Sequence, residues 1–143
     1  MIDENLDIKL IDFGVSRIAS RTSTFTNDVS GTTRYLAPEY FEIEDNTDSD
    51  KPIKIGVKID VWSMGCMISE IFSGILPWMN TVRNEISVRK KLITKAPFPI
   101  PEEVSDPDVL EILNKCLQIA PEERISSAEL TVLFREKIKK LFG

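Results

Sequence analysis

Asp12 sits between the apolar pair Leu10-Ile11 and Phe13-Gly14, and Ala37-Pro38-Glu39 follows after a loop rich in Ser, Thr and Arg. A carboxylate set between apolar residues and a glycine raises the question of what chemistry it serves. Gly14 permits backbone angles that a side chain disfavours. Taken alone, Asp12 also fits a residue that simply starts a turn. There are no histidines, which removes imidazole acid–base catalysis and the usual zinc ligand sets.

The elements that must position these residues read as follows. Asp7 to Ile11 alternates like a short strand. Val15 to Ser30 has no amphipathic period and reads as a loop, and Glu42 to Pro52 as a second, acidic one. The pattern predicts four helices. Lys58 to Ser73 is apolar nearly all round, the pattern of a buried helix, and Gly74 stands at its C-terminal cap. A second helix spans about Asn80 to Lys95. A third runs from Asp106, with Pro107 in its first turn, to about Gln118. The fourth begins at a Ser126/Glu129 capping box and ends near Leu141. Pro97, Pro99 and Pro101 force an extended segment between the middle two. The expected fold is therefore mainly α with a short N-terminal β segment.

The 143 residues are 42% hydrophobic and 29% charged, ordinary for one soluble globular domain. The net charge of -5 argues against a nucleic-acid surface. Glu42, Glu44, Asp45, Asp48 and Asp50 account for it, because the other 18 acids balance the 18 bases. No apolar run approaches the ~20 residues of a membrane span. Cys66 and Cys116 read as buried thiols rather than a disulfide, which agrees with an intracellular, cytoplasmic location.

Asp12-Phe13-Gly14 and Ala37-Pro38-Glu39, with 25 residues from Asp12 to Ala37, resemble the eukaryotic protein kinase family. Gly31-Thr32-Thr33-Arg34-Tyr35-Leu36 is similar to its substrate-docking loop. Asp60-Val61-Trp62-Ser63-Met64-Gly65 is similar to the start of its central helix, and Arg124 stands where the family keeps a late arginine. Ala120, in place of an acid before Pro121, and the acidic insertion depart from the pattern.

The resemblance implies a partial C-lobe of a kinase-like α+β fold over 1–143. Residues 1–14 would end the strand region, 15–39 form the activation and docking loop, 40–57 the acidic insertion and 58–143 the helical lobe. Asp12, Phe13 and Gly14 would serve Mg2+ and ATP, with Asp12 the metal ligand. Thr32 would support the catalytic aspartate, as in serine/threonine-type members. Asp28 stands three residues before Gly31, at a common phosphoacceptor position, where a fixed carboxylate could partly replace the phosphate; Thr24, Thr26 and Ser30 remain candidate acceptors. Glu39 and Arg124 would form a buried ion pair. Asp60 would accept bonds from the catalytic loop or simply cap its helix.

The family's Gly-rich loop, strand lysine and catalytic loop all precede Asp-Phe-Gly, and only 11 residues do so here. The base is expected upstream of Met1. The implied function is a piece of an ATP-dependent serine/threonine kinase, inactive and prone to association by itself. Its partners would be a Ser/Thr-bearing protein substrate and an upstream kinase, with no nucleic acid and no membrane. The alternative is a non-catalytic, kinase-like docking module.

Overall fold

The computed structural model describes residues 1–5, 7–13, 32–41 and 56–142. Two short 3-10 turns, Thr33–Tyr35 and Pro38–Phe41, precede four helices: α1 (Lys58–Ser73), α2 (Glu85–Ile93), α3 (Pro107–Cys116) and α4 (Ser127–Phe142). The expected loops over 15–30 and 42–52 lie outside the described residues, as do Gly14 and Asp28.

The expected strand at 7–11 is reduced to a single antiparallel bridge between Ile2 and Ile8. Lys9 N–H donates to the Met1 carbonyl at 2.9 Å and Asp3 N–H to that of Asp7 at 3.0 Å. A strand lengthens only while a neighbour supplies ladder partners, and among the described residues only Met1 to Asp3 pair with this segment.

α1 has the expected bounds. It ends at Gly74, whose left-handed φ of 70° lets its N–H close on the Glu70 carbonyl at 2.7 Å. Its burial is one-sided: one face fits the buried pattern, and the other leaves the apolar surface that goes with the expected tendency to associate. Val61, Trp62, Cys66 and Ile68 are buried, whereas Met64, Met67, Ile71 and Phe72 are exposed. α1 packs on α3 and on the Thr33–Tyr35 turn, and among the described residues no element covers the other face.

α2 starts at Glu85, five residues later than the periodicity predicts. Residues 78–82 instead form turns on the Trp78 carbonyl, which accepts from the amides of Thr81 and Val82 at 2.9 and 2.8 Å. Asn84 then caps the helix by accepting from Ser87 N–H at 2.8 Å. Asp106 caps α3 through Asp108 N–H at 2.8 Å, and Ser126 with Glu129 makes the reciprocal box that opens α4.

The core gathers on Phe98, carried in by the proline-alternating segment. Trp62 and Trp78 both meet its ring edge-on, at 6.2 and 5.3 Å between centroids. Cys66 and Cys116 are free and buried, and desolvation pushes both thiols up, Cys116 to about 12.

Candidate active site and docking loop

The segment from Thr32 to Phe41 is built against the helices by three polar anchors. Arg34 is buried, and its guanidinium donates to the Pro77 carbonyl at 2.9 Å and the Arg83 carbonyl at 2.6 Å. The Tyr35 hydroxyl donates to the Glu70 carboxylate on α1. Ser63 Oγ donates to the Tyr35 carbonyl at 2.8 Å. Desolvation, reinforced by Glu70, raises the Tyr35 phenol to about 12, so it stays a donor at neutral pH.

The third anchor is Glu39. Its two oxygens accept from Arg124 Nη1 at 2.7 Å and Nη2 at 3.0 Å, a bidentate pair with the arginine side chain 0% and the glutamate 11% exposed. Arg124 Nη1 also donates to the Lys58 carbonyl at 2.8 Å, and Nε to that of Gln118 at 3.1 Å. The guanidinium lies 5.2 Å from the Trp62 ring centre. Lys58 returns the contact, with Nζ donating to the Arg124 carbonyl at 2.5 Å. A buried cation is stable only when its donors are used in this way. A hollow of about 950 Å³ opens beside Glu39, lined by Lys58, Phe98, Leu117 and Glu122 among others; Asp12 is not part of its wall.

Asp12 is exposed and takes a left-handed φ of 61°, a conformation that Asp tolerates better than bulkier residues. Phe13 is 66% exposed, so the described residues supply no apolar pocket for its ring. Thr32 is exposed at the head of the first 3-10 turn, and its side chain makes no capping bond there. Asp60 lies in the first turn of α1, where partial desolvation raises its carboxyl above the usual range. The structure therefore brings Glu39 and Arg124 together, while Asp12, Thr32 and Asp60 are surface carboxylates and a surface hydroxyl.

The described residues hold no cluster of three His, Cys, Asp or Glu side chains suited to a metal. Asp12 fits one role, a single carboxylate on a Mg2+ ion otherwise held by water and phosphate oxygens. Arg34, Glu70 and Ser63 were missed by sequence reasoning. Glu70 carried a signal, being an acid in the mostly apolar second half of α1.

The model for the protein kinase domain matches residues 1–133. The dual specificity protein kinase Ttk of Danio rerio is 38% identical over 129 residues, covering 86% of this chain and 12% of that protein. The serine/threonine-protein kinase cds1 of Schizosaccharomyces pombe is 30% identical over 134 residues, covering 90% and 27%. The CBL-interacting serine/threonine-protein kinase 14 of Arabidopsis thaliana is 32% identical over 132 residues, covering 91% and 27%. The chain thus spans about a quarter or less of the length of these relatives. With the 32–41 segment clamped through Glu39 and Arg124 onto the helices, and with this match over nearly its whole length, the chain belongs to the protein kinase domain family.

Proposed function

We propose that this chain is the lower-lobe portion of an ATP-dependent kinase that phosphorylates serine and threonine hydroxyls of proteins. The observation that carries the reading is the Glu39–Arg124 clamp, which fastens the 32–41 segment to the start of α1 and to the stretch that follows α3. In this reading Asp12 offers its carboxylate to Mg2+ beside the ATP phosphates, and the ion would offset charge on the transferring phosphoryl group. Phe13 and Gly14 shape the Asp12 segment. Thr32 presents its hydroxyl to the catalytic aspartate. The docking loop, held by Arg34, Tyr35 and Glu39, receives the protein substrate. Asp60, desolvated and with no donor among the described residues, is suited to accept bonds from a catalytic loop.

None of these 143 residues supplies a His-Arg-Asp base, a Gly-rich loop or the strand lysine. The polypeptide expressed alone is therefore proposed to transfer no phosphate from ATP, and joined in frame to a segment carrying those motifs it is proposed to regain transfer. Radiolabelled ATP with serine, threonine and tyrosine peptides tests both statements. Transfer by the 143 residues alone overturns the reading, and tyrosine labelling moves it toward the dual specificity of the Ttk relatives. Asp28 is proposed to stand in for an activating phosphate, with an upstream kinase acting at Thr24, Thr26 or Ser30 as the other route. Unchanged activity of the complete kinase on Asp28→Ala ends the substitute idea. A cytoplasmic location, without nucleic-acid or membrane partners, is part of the same proposal; no described helix is long and apolar enough to cross a membrane.

The exposed apolar face of α1 favours a second reading, a non-catalytic docking module. The coding region before Met1 separates the two, since an in-frame catalytic loop there supports the enzyme.

A further inference from the structure

Charge is distributed unevenly along a chain whose net value is -5. Residues 83–95 carry five bases, Arg83, Arg89, Lys90, Lys91 and Lys95, against the single acid Glu85. α2 lies inside this run and buries only Val88 and Leu92. At 100° per residue, Ile86, Lys90 and Ile93 fall on the face opposite that pair. Ile86 is 83% exposed, Ile93 is also exposed, and so are Arg83, Lys90 and Lys91. Lysines in a last helical turn answer the helix dipole, which accounts for Lys90 and Lys91. It does not account for an isoleucine held in water at the first turn, or for Arg83 ahead of the cap.

The same helix is joined to the docking loop. Arg34 donates to the Arg83 carbonyl at the root of α2, and Arg89 lies over the Phe41 ring at 5.8 Å from its centre. An apolar stripe flanked by bases is complementary to an extended or helical segment that alternates acids with aliphatic residues. The charge guides encounter and the isoleucines supply desolvation at short range.

We propose that the outward face of α2, built from Arg83, Ile86, Lys90 and Ile93, docks an acidic, leucine-bearing segment of a protein partner. This surface lies outside the phosphoryl-transfer reading and does not depend on it, because binding requires neither ATP nor a catalytic base.

Fluorescence polarisation of the full 143-residue chain, with a short fluorescein-labelled peptide of alternating glutamate and leucine, tests the proposal. The expected result is saturable binding that weakens as salt rises. Lys90→Glu should weaken it about fivefold and Ile86→Asp about tenfold. Lys115→Glu, an equal charge change on α3, should leave it unaltered. Circular dichroism establishes that each variant retains its helices, which is expected because all three sites are exposed. The proposal is overturned if the acidic peptide does not bind, if a lysine–leucine peptide binds equally, or if Lys115→Glu weakens binding as much as Lys90→Glu. Binding confined to phosphatidylserine vesicles or to single-stranded RNA overturns it as well.

Discussion

At Arg124 all three guanidinium nitrogens are engaged, and the carboxylate of Glu39 takes the two terminal ones. Removing one partner of such a pair leaves a buried charge uncompensated, at a cost of about 3–5 kcal/mol. Glu39→Ala is therefore expected to lower urea-unfolding stability by about 3 kcal/mol, toward the smaller figure because the Lys58 and Gln118 carbonyls still serve the guanidinium. Asp60 has the opposite sense. Its folded-state pKa lies above its unfolded one, so the native state gains relative stability as pH falls through that range and loses it as pH rises. Asp60→Asn should stabilise the isolated chain at neutral pH and flatten its pH profile in mild acid; unchanged urea midpoints across that range contradict this. Residue types at Glu39, Arg124 and Asp60 were legible as chemistry in the sequence. Arg34 was not, because a cation in a polar loop reads as solvated until the Pro77 and Arg83 carbonyls are seen around it.

Among the elements, the α1–α3 crossing depends on the missing side chain of Gly65. A Cβ there would stand 2.8 Å from Cys116 Cβ and 2.9 Å from Leu117 Cδ2, both inside the packed interface. Gly65→Ala should destabilise by about 1–3 kcal/mol despite the better helix propensity of alanine, as read by thermal unfolding. α3 and α4 are joined differently, by Lys137 on Asp108 at 2.7 Å and on Glu111 at 2.6 Å, and by Lys140 on Asp108 at 3.0 Å. Lys137 holds both carboxyls below the ordinary range, with Lys140 contributing at Asp108. Their contribution is complete above the usual carboxylate range and is lost as pH falls through the depressed values. Protection of the amides at the α3–α4 contact, taken relative to the intrinsic exchange rate at each pH, should therefore fall in acid, and Lys137→Met should reduce that fall, with Lys140 still on Asp108.

The helices and their caps were readable because caps and periodicity are local. The late start of α2 was not, since it depends on turns closing around the Trp78 carbonyl, whose residue takes a φ of 68°. The short strand failed for a related reason: alternation marks what a segment can pair with, whereas pairing needs a second strand.

For the whole molecule, the exposed stripe of Met64, Met67, Ile71 and Phe72 is larger than isolated apolar side chains on a soluble surface. The chain by itself is expected to associate, with light scattering that rises with concentration and falls on Met67→Lys. A strictly monomeric preparation over that series contradicts the expectation. The exposed side of α1 was legible as a tendency to associate, but not which residues would form it, because composition tells how apolar a helix is and not which neighbours arrive.

The Glu39–Arg124 clamp also has a kinetic side. Its partners stand 85 residues apart, so closing the contact costs loop entropy that packing of the helices between them offsets. A contact of that range is expected to form after the folding transition state. Severing the clamp should therefore hasten the loss of native structure while barely slowing its recovery, so the pair works chiefly as a brake on coming apart.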